Sequence, residues 1–353
     1  MKFIHIADIH LGAAPDLGRP WSKARAKEIW DTFSEVVAVC NRDAVDLLLI
    51  AGDLFHRQPL KRELKEADYQ FSTLTHTKVV MIAGNHDYLR PGSVYDEFQW
   101  CSQVTFLKNE EMQSACFPEL NTCVQGFSYR QQEILEPLLD GARPVEKGQG
   151  HCILLAHGGD EKHLPFQRKR LAAAGFDYVA LGHIHKPQIW KEERIAYSGS
   201  LEPTDKNDLG SRGYILGELE SGKLSLKFVP AAKREYLRVK LVLTPSSTEG
   251  ALCRKVQEVV NLYGRQNLYR LLLEGEYDPE APLQLDRLPG LGNIVEVTDD
   301  SVPHYDLVQL AQEHRHDIIG MYLQSFGDLE GLSEVQKKAL YYGITALMGR
   351  KGR

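Results

Sequence analysis

A chain of 353 residues, 43% hydrophobic and 25% charged, exceeds one average domain and has the composition of a folded soluble protein, which excludes a disordered or fibrous chain. Its formal charge of −6 lacks the basic footprint that phosphate-backbone binding leaves, yet a site that gathers aspartates is acidic in sequence and far less so once cations are seated. Net charge therefore decides nothing about nucleic acid. In chain order, short apolar and β-branched runs at 3–7, 47–51, 79–83, 153–156 and 178–181 read as buried strands, with helices over 22–40 and 60–74 between the early ones. This alternation predicts a layered α/β fold. Residues 194–230 turn into short strands with Gly-containing turns such as Ser221-Gly222-Lys223, completing a first domain over 1–230. The pattern restarts with a strand at 236–243, a helix at 248–263 and strands at 269–274 and 294–297, giving a small α+β domain over 231–300. Two or three helices from Tyr305 fill 301–353, and the basic end, 349–353, reads as a frayed tail.

The six cysteines, Cys40, Cys101, Cys116, Cys123, Cys152 and Cys253, form no C-x-x-C pair. They read as unpaired thiols of a reducing compartment, without structural zinc. No apolar run reaches the roughly 18 residues of a membrane span, and the opening MKFIHIADIHLG runs straight into a strand with an aspartate and two histidines. A cytoplasmic protein with no membrane partner is expected.

Polar residues fall at the C-terminal ends of the predicted strands: Asp8, Asp53, Asn85, His157 and His183. Ligand sites of open α/β sheets collect at that edge. Five short motifs carry them: Asp8-Ile9-His10, Gly52-Asp53, Gly84-Asn85-His86-Asp87, Ala156-His157-Gly158 and Gly182-His183-Ile184-His185. A single D-x-H or lone histidine means little, since most histidines serve packing or solvation. Five in order at strand ends point to one site.

Carboxylate, amide and imidazole suit borderline-hard divalent cations, and manganese or iron fits them better than a thiolate zinc site would. The reading seats one metal on Asp8, His10 and His185 and a second on Asn85, His157 and His183, with Asp53 bridging. A bridging carboxylate holds two cations about 3.5 to 4 Å apart, close enough to clamp a phosphate and activate a water. Gly52, Gly84 and Gly182 precede ligands where a strand must turn tightly. Strand alternation would put His183 and His185 on one side, with Ile184 pointing away. Two further histidines face substrate in this reading: His86, oriented by Asp87, and His56, reaching the pocket from the opposite side.

The set D-x-H, G-D, G-N-H-D/E, H and G-H-x-H resembles that of the calcineurin-like metallophosphoesterases. Within them, IADIHLG, AGDLFHR, IAGNHD and ALGHIHKPQ are similar to the double-strand-break repair nucleases of the SbcD type, in a YhaO-like branch. The resemblance is strong over residues 1–200 and implies a four-layer α/β/β/α sandwich with a smaller α+β capping domain and C-terminal helices. It implies manganese, and cleavage of DNA as exonuclease and single-strand endonuclease; the expected cofactor is two divalent metal ions, Mn2+ foremost, with Fe2+ or Zn2+ as alternatives. It also implies an SMC-like coiled-coil ATPase partner of the SbcC type, and a homodimer is a further expectation. The family's ligands fall on the same seven residues, with His86 and His56 as its substrate-side histidines. Beyond the last motif, YSGSLEPTDKNDLGSRGY keeps S-G-S and departs from the rest, which leaves the ATPase partner and the polarity of cleavage open.

Two other functions compete with DNA cleavage. The same metals would serve a small-molecule or phosphoprotein phosphoesterase, and the chain could be the DNA-end-binding subunit of an ATPase complex, with residues from Tyr305 as its docking element. The remaining histidines, His5, His76, His151, His163, His304, His314 and His316, read as structural or solvated, and the basic stretches 57–65 and 162–170 as solvated faces. Trp21, Phe55 and Tyr88 read as core residues before base-stacking ones.

Overall fold

A computed structural model describes residues 1–145, 150–329 and 331–349; the basic tail beyond Gly349 lies outside the described residues. The chain divides into two compact units, Met1–Tyr236 and Leu237–Arg353.

The first unit is built on strands whose apolar runs are buried on both faces. β1 (Lys2–Ile6), β2 (Leu47–Ala51), β3 (Lys78–Ile82) and β4 (Val104–Phe106) lie parallel in one six-stranded sheet, and β11 (Gly213–Glu220) and β12 (Lys223–Pro230) extend it antiparallel in the order β12-β11-β1-β2-β3-β4. The second sheet has the order β5-β6-β7-β8-β10-β9, from β5 (Gln113–Phe117), β6 (Thr122–Gly126), β7 (His151–His157), β8 (Tyr178–Gly182), β9 (Gln188–Trp190) and β10 (Ile195–Tyr197). Side chains alternate between two environments, as strand geometry requires. Phe3, Leu47, Leu49, Val80 and Ile82 meet Val124, Ile153, Leu155 and Ala180 between the sheets. Ile4, Ile6, Leu48, Ile50 and Met81 face outward against the helices α1 (Ser22–Arg42) and α2 (Lys61–Ser72). The short helix α3 (Val94–Glu97) adds Tyr95 to that helical side, and Leu154, Ala156, Val179 and Leu181 bury the outer face of the second sheet against Leu139, Phe176 and Leu171 of α4 (Arg168–Ala172). Full burial of each such side chain is worth about 1.5–3 kcal/mol, so the four layers α/β/β/α form one stack of three cores.

The helices follow from their apolar stripes. Ile29, Phe33, Val36, Val37 and Cys40 of α1 are all buried at helical spacing. α2 is capped by Glu63, whose carboxylate accepts from Leu60 N at 2.8 Å. A buried ionic knot ties α1 to the chain after β10: Glu202 accepts from Thr32 Oγ1 (2.6 Å), Lys233 N (2.6 Å) and Arg25 Nη1 (3.1 Å), and neither Arg25 nor Glu202 has any exposed surface.

The cysteines correct one expectation. Cys116 and Cys123 are joined in a disulfide; β5 and β6 pair antiparallel with these two residues directly opposite, their Cα atoms 4.0 Å apart. The hairpin register brings them together, a relationship that a search for C-x-x-C spacing overlooks. Cys40, Cys101, Cys152 and Cys253 are free thiols.

The second unit packs β13 (Tyr236–Leu243), β14 (Leu268–Tyr277) and β15 (Ile294–Asp299) into a sheet, with β16 (Val302–Pro303) beside β14. Against it lies α5 (Glu249–Tyr263), whose Leu252, Val256 and Val260 join the sheet's core. Thr248 caps α5 by accepting from Ala251 N. α6 (Leu307–Glu313), α7 (Ile318–Ser325) and α8 (Glu334–Leu347) share a separate small core of Leu310, Ile319, Leu323, Leu340 and Ile344. Among the described residues no helix is long and apolar enough to cross a membrane.

Candidate metal centre

The loops leaving β1 and β2 stay paired beyond the strands: Asp8 N donates to Gly52 O (3.2 Å), His10 N to Asp53 O (3.1 Å), Leu11 N to Leu54 O (2.9 Å) and His56 N to Leu11 O (3.1 Å). Asp8 reaches across to the second sheet, where its carboxylate accepts from His183 N at 2.9 Å. Asp8, His10, Asp53 and His183 have φ of 50°, 53°, 52° and 94°. Such left-handed backbone at non-glycine residues costs on the order of 1–3 kcal/mol each and concentrates at functional sites. Close approach explains two of the glycines: a Cβ on Gly84 would strike Asp53 and His157, and one on Gly182 would strike Ala51 O.

The predicted ligand atoms converge. Asp8, His10 and His185 form one group, and Asp8, Asp53 and His157 another, with ligand atoms all within 4.8 Å of each other in each. His10 Nε2 lies 3.1 Å from His185 Nε2. Asn85 Oδ1 lies 2.9 Å from His157 Nε2 and 3.2 Å from His183 Nδ1. Asp53 Oδ2 stands between the two sets, 4.0 Å from His10 Nε2 and 3.4 Å from His157 Nε2. Strand alternation is not what aims the last pair: β8 ends at Gly182, and His183 and His185 lie in the loop beyond it, while Ile184 packs on the outer core of the second sheet.

The electrostatics call for positive charge. Asp8 and Asp53 are buried, and removing a carboxylate from water costs several kcal/mol unless a cation matches it. Burial raises the Asp8 carboxyl above its ordinary range. Burial pushes Asp53 the same way, but the surrounding histidines, His157 first, hold it far below the usual carboxylate range. His157 would be lowered by burial, yet Asp53 and then Asp8 lift it to about 9. His10, His56 and His183 are lowered, chiefly by burial, His183 to about 4. The two buried carboxylates thus favour positive charge at His157, the imidazole nearer to Asp53.

His56 and His86 form the solvent side of this cluster. Their rings stack at 5.3 Å and 25°, and both stand edge-on to His10, at 5.3 and 4.9 Å. They are therefore neighbours, and His56 does not approach from the opposite side. Asp87 does not orient the His86 ring. Its buried carboxylate accepts from Gly84 N (2.8 Å) and Phe55 N (3.1 Å), tying two motif loops together, and His86 Nδ1 instead donates to the His56 carbonyl at 3.1 Å.

Three residues outside the five motifs complete the surroundings. Asp160 lies 2.7 Å from His183 Nε2 and 2.9 Å from His163 Nδ1, and Asp208 lies 3.1 Å from His185 Nδ1. Burial would raise both carboxyls, but their histidine partners hold them below the usual range. His163, read as structural or solvated, belongs to this neighbourhood.

The donor set fits divalent cations. It combines carboxylate, amide oxygen and imidazole, and no cysteine occurs in the candidate groups among the described residues. His157 Nδ1 donates to Ala51 O at 2.8 Å, so Nε2 is the nitrogen that faces the Asn85 carbonyl oxygen at 2.9 Å. The raised pKa of this ring keeps a proton at that position, and a divalent cation would take the proton's place.

A four-layer sandwich carrying such a cluster at the edges of both sheets defines a metal-dependent phosphoester hydrolase. The chain matches the calcineurin-like phosphoesterases over residues 1–187 and belongs to that family. Its relatives include the uncharacterized metallophosphoesterase YhaO of Bacillus subtilis, 29% identical over 80% of this chain and 74% of that protein. The DNA double-strand break repair protein Mre11 of Methanocaldococcus jannaschii is 28% identical over 68% of this chain and 69% of that one. One of the subunits of the nuclease SbcCD of Staphylococcus epidermidis is 24% identical, with each chain covered in full at 100%.

Proposed function

We propose that this protein is a manganese-dependent DNA nuclease, acting as an exonuclease and on single strands as an endonuclease, in DNA repair beside an SMC-like ATPase. The observation that carries the reading is the stacked pair of His56 and His86 over the buried cluster. Relatives named as a double-strand break repair protein and as part of a nuclease support it. In this reading Asp8, His10 and His185 would hold one cation and Asn85, His157 and His183 the other, with Asp53 shared between them. Two divalent cations so placed supply the clamp on the phosphate and the activation of water.

The chain's own residues do the rest. His86 commits Nδ1 to the His56 carbonyl, so Nε2 is the nitrogen presented to substrate, where in its protonated form it donates to the leaving oxygen. His56, stacked on it, fixes the ring plane and adds a second donor beside the phosphate. Residues 231–300 serve as the capping domain and 301–353 as the element that docks the ATPase.

The test is incubation of purified protein with Mn2+ and end-labelled DNA, with cation occupancy measured in the same sample. Degradation that requires Mn2+ is expected. Intact DNA at full occupancy, with turnover of cyclic nucleotides or phosphopeptides instead, would replace this reading by a small-molecule or phosphoprotein phosphoesterase.

A further inference from the structure

The two histidines of Gly182-His183-Ile184-His185 have a ring nitrogen each to spare, and the structure disposes of both in the same way. His185 presents Nε2 to His10 and turns Nδ1 to Asp208 Oδ2 at 3.1 Å. His183 presents Nδ1 to Asn85 and turns Nε2 to Asp160 Oδ2 at 2.7 Å. The inward nitrogen is Nε2 in one ring and Nδ1 in the other, so the two imidazoles need opposite tautomers. An imidazole's tautomer is set by what its other nitrogen meets, and a carboxylate there fixes the proton on the outer side and makes the inner lone pair a stronger donor.

Each carboxylate is itself held. Asp208 is 8% exposed, accepts from the amides of Thr204 (2.9 Å) and Asp205 (3.2 Å), and lies 3.5 Å from the Arg212 guanidinium. Arg212 in turn donates to the carbonyls of Leu209, Gly210 and Ser211, closing residues 204–212 around the carboxylate. Asp160 accepts from the amides of Lys162 (2.8 Å) and His163 (2.9 Å), and from the His163 ring. Each aspartate meets the outward nitrogen of its histidine, and both stand outside the five motifs.

We infer that Asp208 and Asp160 are positioning residues, each setting the cation-binding tautomer of one histidine, His185 and His183 respectively. The inference rests on the metal-centre reading above. It assigns a function to the segment Thr204–Arg212, where the sequence departs from the family pattern. It also makes the two cation sites separately adjustable, because each carboxylate backs a ligand of only one of them.

Calorimetric titration of the chelator-treated full chain with Mn2+ tests this without reference to catalysis, and the visible spectrum of Co2+ titrated in the same way reports the ligand geometry. Two bound cations are expected for the parent chain. Asp160→Ala should weaken one site by roughly 10- to 100-fold and leave the other at parent affinity, and Asp208→Ala should do the reverse. Asp160→Asn, which keeps an acceptor for His183 Nε2, should fall between Asp160→Ala and the parent. Melting curves of the cation-free chains show that each variant is folded. Two cations bound at parent affinity by the two folded alanine variants, with unaltered Co2+ spectra, overturn the inference and leave the metal centre standing. A parent chain that binds no pair of cations overturns both.

Discussion

The rings of His56 and His86 lie stacked, 5.3 Å between centroids and inclined by 25°, with His10 edge-on to each. Of the three, His10 is buried among the candidate ligands and the other two are exposed. Removal of an outer ring should therefore spare the cations. His86→Ala is expected to bind two Mn2+ as the parent does and to lose on the order of 10²- to 10⁴-fold in phosphodiester cleavage. Occupancy measured alongside rate separates this outcome from a collapsed centre.

Asp53 is the opposite case. Its carboxylate lies between His10 and His157 and also accepts from His86 N at 2.9 Å. Asp53→Ala should abolish paired cation binding and cleavage together. Retention of two cations by the folded variant, counted by elemental analysis, would contradict the bridging position.

Glu202 and Arg25 predict a stability effect remote from the ligands. Glu202→Ala leaves a fully buried guanidinium with Glu28 as its remaining acid partner, and breaking a buried pair from one side costs about 3–5 kcal/mol. Urea unfolding should register a loss of that size. A change within about 0.5 kcal/mol, the range of ordinary surface substitutions, would show that the knot contributes little.

His5 sets an acid limit. It is fully buried between the sheets with Nδ1 2.8 Å from Tyr178 Oη, and burial lowers its pKa from 6.5 to about 3. The unfolded chain binds a proton at this ring below about 6.5 and the folded chain only near 3, so stability is lost as pH falls through that window, by about 1.4 kcal/mol per pH unit. At pH 5 the loss attributable to His5 is about 2 kcal/mol relative to pH 7.5. His5→Gln, which does not titrate, should be destabilised at neutral pH and close about 2 kcal/mol of the gap to the parent by pH 5. Parallel pH profiles for the two chains would remove His5 from the account.

The disulfide gives a chemical count. Denatured without reductant, the chain should expose four reactive thiols, Cys40, Cys101, Cys152 and Cys253, and after reduction all six. Six thiols before reduction would mean that Cys116 and Cys123 are apart in solution.

The fold is readable where one physical signal dominates. The strand Leu47–Ala51 is a continuous apolar run because both faces are buried, and its predicted bounds coincide with the observed ones, whereas the runs expected at 3–7 and 79–83 begin and end one residue earlier, as Lys2–Ile6 and Lys78–Ile82. β5 and β6 carry Gln113, Ser114, Thr122 and Gln125 among their apolar residues, so no run announces them, and the disulfide they align stays hidden with them. The candidate ligands are readable because chemically suited residues recur just past strand ends. Asp160 and Asp208 sit in loops without periodicity, and only the three-dimensional path brings them to His183 and His185. Asp87 misleads for a related reason: adjacency to His86 in sequence suggests contact with the ring, whereas a buried carboxylate between two loops is taken by their amides.

The hydrogen bond from His183 N to the Asp8 carboxylate has a consequence for folding. Asp8 precedes His183 by 175 residues, and until the second sheet closes on the first, Asp8, His10 and Asp53 stand without His157, His183 and His185. Assembly of the candidate centre is thus coupled to closure of the sandwich, because its two halves come from different sheets.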